Sequence, residues 1–153
     1  FGWAKPVPVS FQNLNSPKRD MAWVAFAGPF ANFLMAIFWG LIVKLGLVLL
    51  QSDIMVGEPM VYMGVAGVLI NAMLMMLNLL PLPPLDGGRI LVSWLPQPYS
   101  RWLEGIEQYG FIILIALIYF KILYFVLWPL ISLLLNLISS TYQIPVQVFN
   151  ILS

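Results

Sequence analysis

The chain has 153 residues, of which 61% are hydrophobic and only 8% are charged. Soluble domains are roughly half apolar and a quarter charged, so this composition indicates an all-α polytopic membrane protein. The net charge of +1 offers no basic surface for nucleic acid. The chain also contains no cysteine and no histidine, which excludes a disulfide framework, a cysteine nucleophile and any thiolate or imidazole metal ligand from this chain.

The first twenty residues, FGWAKPVPVSFQNLNSPKRD, are polar and include three prolines. The alternation in residues 5–9, KPVPV, favours an extended segment or an edge strand over a helix. We expect residues 1–20 to form a short extended segment at the cytoplasmic membrane surface. The helix that follows has Ser16 or Asp20 as its candidate N-cap.

Residues 21–153 are predicted to form one membrane domain, which begins with two apolar runs. About 20 apolar residues suffice to cross a bilayer, and residues 21–50 and 60–80 both meet that length. The first run carries a single charge, Lys44, whose long side chain can reach the headgroups, and the second carries none. The residues between the two runs include Asp53 and Glu58 and are expected to form an acidic connector.

A third apolar run extends from about residue 109 to residue 138 and is too long for one untilted span. Either a single helix kinks at Pro129, or a span ends near Trp128 and a second apolar helix follows. We favour a span over residues 109–128 and an apolar helix over residues 129–140 that re-enters the membrane or lies along it. Lys121 lies within this run and either reaches the headgroups or marks a helix end.

The distribution of basic residues predicts the orientation in the membrane. Cytoplasmic loops carry an excess of Lys and Arg. Basic residues precede the first span and follow the second, whereas the connector between the spans has none: Lys5, Lys18, Arg19, Arg89 and Arg101. We therefore expect the N-terminal segment and the Asp86 loop to be cytoplasmic and the connector, residues 51–60, to be outside. The segment after the Asp86 loop, residues 89–108, is predicted to lie at the surface and to contain a short amphipathic helix.

The second span ends in the sequence NLLPLPPLDGGRI, residues 78–90, which has five helix breakers among residues 81–88. A helix that ends at membrane depth leaves backbone groups unpaired, which is tolerated where they line an enclosed or wet cavity. The prolines leave carbonyls available to an incoming strand, and Gly87 and Gly88 allow close approach to Asp86. The alternative is an exit turn at the headgroups with Arg89 as an anchor, but such a turn needs one breaker.

These residues resemble a known family. NLLPLPPLDGG is similar to the N-x-x-P-x-P-x-L-D-G signature of the site-2 proteases, which are intramembrane zinc metalloproteases. AGPFAN, residues 27–32, resembles their G-P-x-x-N motif, and FGWAKPVPV resembles the strand-forming segment that follows their zinc-binding helix. The three matches occur in the order found in the family and, with the spans between them, cover most of residues 1–101.

The resemblance implies a role for each matching residue. Asp86 would be the third protein ligand of a catalytic zinc, whose other ligands are the two histidines of an upstream H-E-x-x-H helix. The remaining matches are substrate-cleft residues (Asn78, Pro81 and Pro83) and structural residues of the two motifs (Gly28, Pro29, Asn32, Gly87 and Gly88). The substrate implied is a locally unwound transmembrane segment of another protein, and the implied location is a bacterial inner membrane.

This chain departs from the family pattern because it has no histidine and therefore no H-E-x-x-H. We expect it to be the C-terminal part of a zinc metalloendopeptidase, with the zinc-binding helix upstream of Phe1, and to be inactive alone because it contains no catalytic residue. Two alternatives stay open. One is an inactive membrane scaffold derived from the protease, and the other is a transporter with a broken helix at Asp86.

Overall fold

The computed structural model describes residues 17–152, which form six helices. They are α1 (Pro17–Gln51), α2 (Gly57–Asn78), α3 (Asp86–Trp94), α4 (Tyr99–Tyr119), α5 (Ile122–Tyr142) and a C-terminal 3₁₀ helix (Val146–Leu152). Residues 1–16 of the predicted N-terminal extended segment, including the candidate cap Ser16, lie outside the described residues. Its last four residues are helical instead: Pro17 opens α1, where its missing N–H is not needed, and Asp20 lies in the first turn.

Three helices are long and apolar enough to cross a membrane: residues 20–51 of α1, all of α2 and all of α5. The all-α polytopic fold is therefore confirmed. The first two spans coincide with the predicted runs, although the connector between them is shorter than expected because α2 already begins at Gly57.

Close packing at glycines joins α1 and α2 into an antiparallel hairpin. A Cβ added at Gly57, the first residue of α2, would lie 2.6 Å from the carbonyl oxygen of Gly46. Further along α2, a Cβ at Gly64 would lie 2.6 Å from Cγ2 of Val43, and one at Gly67 would collide with the ring of Trp39. Small residues allow such approach between membrane helices, where packing rather than hydrophobic burial drives association.

The third span, α5, runs parallel to α1. Gly40 of α1 lies against Ile138 and Tyr142, near the end of α5, and the neighbouring Trp39 lies against Gly67 of α2. Helices α5 and α2 line one groove together with the 3₁₀ helix. Along this groove, the start of α5 lies near Leu77 of α2. This lateral groove is lined by Leu69, Met73, Leu77, Ile118, Lys121, Leu123, Tyr124, Leu127, Trp128, Ile131, Ser132, Leu135, Asn136, Val146, Phe149 and Asn150. The α5 helix therefore begins near the end of α2.

The second half of helix α4 packs near the end of α2. Gly110 packs on the carbonyl of Pro83, in the loop after α2, and Tyr119 is followed directly by the turn that starts α5. Its apolar part, Gly105–Tyr119, is also shorter than the three candidate spans. By length and composition, α4 is therefore not among the three candidate spans of the described residues.

The helix break predicted near Trp128 and Pro129 is wrong. The chain turns at Lys121, whose backbone is left-handed with a φ of 57°, and Pro129 lies inside α5. The third candidate span is Ile122–Tyr142, and the shorter apolar helix precedes it rather than following it. An internal proline removes one helical hydrogen bond, here the one that the Phe125 carbonyl would accept from residue 129, and membrane helices tolerate this loss.

Candidate functional site

Asp86 is the first residue of α3, a helix of nine residues. The preceding Leu85 is extended, with φ −70° and ψ 158°, so the chain changes direction immediately before the acid. The loop from Leu79 to Leu85 is held by short turns, in which Leu82 N–H donates to Leu80 at 2.8 Å and Leu85 N–H donates to Leu82 at 2.9 Å. An acid in the first turn also interacts favourably with the helix dipole.

Three glycines fix this loop against its surroundings. A Cβ at Gly87 would collide with the carbonyls of Leu79 and Leu80, and one at Gly88 would lie 2.7 Å from Cδ of Pro83. From the opposite direction, a Cβ at Gly110 of α4 would collide with the Pro83 carbonyl. The group that approaches Gly87 and Gly88 is thus the backbone of the loop itself. Gly110 was not singled out from the sequence, because a glycine in an apolar helix carries no distinctive signal.

The carboxylate of Asp86 lies against α1 at Gly28. A Cβ at Gly28 would be 2.7 Å from Oδ2 of Asp86, so the oxygen occupies space that any larger residue would fill. Pro29, the next residue, is fully buried, and Asn32 lies one turn further along α1 and is partly buried. The structure thus brings together the two motifs that the sequence analysis placed in separate spans.

The environment of Asp86 disfavours its charge. Burial raises the pKa of the Asp86 carboxyl, and the nearby Arg89 guanidinium lowers it to a lesser extent. Arg89 is also shared with Glu107 of α4, at 3.9 Å between Nη2 and Oε1. Within residues 17–152, Asp86 forms no hydrogen bond or ion pair through its side chain.

The residues of this chain do not complete a zinc site. A catalytic zinc takes three protein ligands and keeps one position open. The described part of the chain contains no cluster of three or more histidine, cysteine, aspartate or glutamate residues, and the full sequence has no histidine or cysteine. Asp86 can supply one ligand, and the others have to come from elsewhere.

The predicted substrate residues have different environments. Asn78 ends α2 and is partly buried, and its amide forms no hydrogen bond within the described residues. Pro81 is exposed. Pro83 is buried between Gly88 and Gly110, and its expected role in a substrate cleft stays a prediction. Pro83 instead fixes the loop in place.

Two carbonyls of the loop remain available. In the described structure, the carbonyls of Pro81 and Pro84 accept no backbone hydrogen bond, and both prolines are exposed. The carbonyl of Pro83 also accepts none, but it faces α4 at Gly110. Among the described residues, the carbonyls of Pro81 and Pro84 are therefore the candidates for the unpaired acceptors that the proline spacing predicts.

Comparison with known proteins identifies the family. The model of Peptidase family M50 matches residues 46–120, a range that contains the whole Asp86 loop and α4. A protein of Bacillus subtilis (strain 168) named "Putative zinc metalloprotease YwhC" is 32% identical over 155 residues, covering 94% of this chain and 68% of that protein. No solved structure matches the chain. The chain therefore belongs to peptidase family M50, the site-2 proteases.

Proposed function

We propose that this chain supplies the carboxylate metal ligand and the substrate-binding loop of an intramembrane zinc metalloprotease. The observation that carries the proposal is the Asp86 carboxylate, which lies against Gly28 without a hydrogen-bond or ion-pair partner among the described residues. A half-buried acid with a raised pKa is destabilising unless a cation or another partner compensates for the lost hydration. A metal ion would provide that compensation.

The remaining zinc ligands and the general base belong, in this proposal, to an H-E-x-x-H helix outside the given sequence. The absence of histidine from the chain requires this, because one carboxylate does not hold a catalytic zinc. The chain alone should therefore bind no stoichiometric zinc and cleave no substrate. The catalytic unit is formed only when both parts pack together.

The loop before Asp86 would bind the substrate as an extended strand. The carbonyls of Pro81 and Pro84 would accept hydrogen bonds from backbone N–H groups of the substrate, and the Asn78 amide can both donate and accept. A transmembrane helix pairs its N–H groups internally, so it has to unwind locally before it can form these bonds. The substrate class that follows is a membrane-spanning segment with a weak helical region.

The proposed location is a bacterial inner membrane, with the Asp86 loop on the cytoplasmic side, because the basic residues flank that side of the first two spans. The connector between α1 and α2 would then face outward. The chain has no native cysteine, so a single Ser52→Cys change in this exposed connector gives a clean label site. An impermeant maleimide added to intact cells should label it, and labelling only after lysis would reverse the orientation.

The function is tested in the native reading frame that contains this chain. Asp86→Ala should abolish cleavage of a transmembrane reporter and lower the bound zinc, whereas Glu58→Gln, at an exposed acid in the first turn of α2, should change neither. Cleavage and zinc content equal to wild type in Asp86→Ala would refute the ligand role. A wild-type protein that binds no zinc at all would instead favour the inactive scaffold.

A further inference from the structure

The lateral groove has no role in the site described above. It encloses about 620 Å³ between α2, α5 and the C-terminal 3₁₀ helix. Apolar side chains form most of its wall, among them Met73, Leu127 and Phe149, and Lys121 is the one charged residue among the described residues that line it. Tyr124 and Trp128 stack on each other at 5.7 Å along one edge, which stiffens that wall.

Lys121 is placed where it can reach the lipid headgroups. It forms the turn between α4 and α5, it is exposed, and it has no ion-pair partner within residues 17–152. A lysine in the middle of an apolar sequence is unfavourable in the hydrocarbon region unless its ammonium reaches the interface or a counter-charge. Since α5 crosses the membrane from this point, the turn lies at one end of a span, close to a headgroup layer.

We propose that the lateral groove binds one acyl chain of an anionic phospholipid, whose phosphate is held by the Lys121 ammonium. The wall of α5 from Lys121 to Leu135 extends about 20 Å at the helical rise of 1.5 Å per residue. One leaflet is half of a hydrocarbon core of about 30 Å, so this wall is long enough to hold the chain through its leaflet. The cation at one end of an apolar wall matches the anionic head and apolar tail of such a lipid.

The size of the groove argues against a polypeptide occupant. Its volume lies within the range of roughly 300–1,000 Å³ that is typical of small-molecule sites. A spanning helix is about 10 Å wide and 30 Å long, so it would need several times that volume. The proposal does not depend on proteolysis, because none of its residues belongs to the Asp86 site.

The test compares the binding of phosphatidylglycerol and phosphatidylcholine with identical acyl chains to the purified product of the native reading frame that contains this chain, by native mass spectrometry. One lysine at an anionic surface adds a binding free energy that corresponds to about a fivefold preference for phosphatidylglycerol. Lys121→Asn removes the charge and tolerates the left-handed backbone, so it should abolish the preference, whereas Lys121→Arg should keep it. Lys44→Gln, which removes a cation on α1, is the matched control and should also keep it.

A second variant tests the groove itself. Ser132→Trp places a bulky ring in the lateral groove without a change of charge and should reduce retention of both lipids. The proposal is overturned by equal binding of the two lipids to the wild type, by an equal effect of Lys121→Asn and Lys44→Gln, or by unchanged retention in Ser132→Trp. A photo-cross-linker at Met73 should capture lipid in native membranes, and exclusive capture of polypeptide would likewise overturn the proposal.

Discussion

The contact between Gly28 and Asp86 gives the sharpest test of the metal site. In Gly28→Ala the new Cβ would lie 2.7 Å from Oδ2, and an ordinary contact is at least 3.4 Å, so the carboxylate has to retreat. That displacement is several times the tolerance of about 0.2 Å for metal–ligand distances. Changes that misplace a ligand cost about 10–100-fold in metal affinity or activity. We expect Gly28→Ala to lower zinc content and reporter cleavage within this range.

The same substitution should leave the fold intact. The atom that it meets is the end of a short side chain, and alanine in a helix interior is favoured over glycine by about 0.5–1 kcal/mol. The control is Gly105→Ala in α4, where a Cβ meets nothing within 4 Å, and it should change neither zinc nor cleavage. The measurements are zinc per protein, reporter cleavage and thermal unfolding of the native reading frame. Wild-type zinc and cleavage in Gly28→Ala would refute the reasoning.

Three further changes test other parts of the site. Gly110→Ala should lower the unfolding midpoint, because its Cβ collides with the Pro83 backbone, whereas Gly105→Ala should keep or raise it. Burial raises the pKa of the Asp86 carboxyl. In the metal-free chain, ionised Asp86 therefore lowers the free energy of unfolding, and this loss grows as the pH rises through that pKa. Asp86→Asn should therefore be more stable than wild type at neutral pH, and this advantage should shrink in acid; a constant difference at all pH values would contradict this. Asn78→Ala should weaken cleavage at normal zinc content, and a loss of zinc would mean that its role is different.

Length and charge sufficed to predict the first two spans, but not the third. A continuous apolar run does not indicate where it turns, and the prediction relied on Pro129. Prolines inside membrane helices are tolerated, as Pro29 and Pro129 both are here, so proline alone is a poor marker of a break. Lys121 was visible as the one charge in the run. The sequence does not distinguish a lysine that reaches the headgroups from one that marks a helix end.

The candidate site was only partly predictable. The sequence pattern singled out Asp86 and Gly28, but their contact depends on how α3 packs against α1, which no local signal encodes. The proline spacing predicted unpaired carbonyls without showing that the Pro83 carbonyl faces α4. Gly110 gave no signal, because its importance comes from a loop distant in sequence.

If the three candidate spans each cross the bilayer, their odd number separates the two ends of the described chain. A helix α4 that does not cross would add nothing to this count, and its length would be free to vary without inverting the elements that follow it. Reporters that work on only one side of the membrane should therefore give opposite signals when fused after residue 152 and before residue 17. Deletion of α5 would bring both reporters to the same side, whereas deletion of the apolar part of α4 would not.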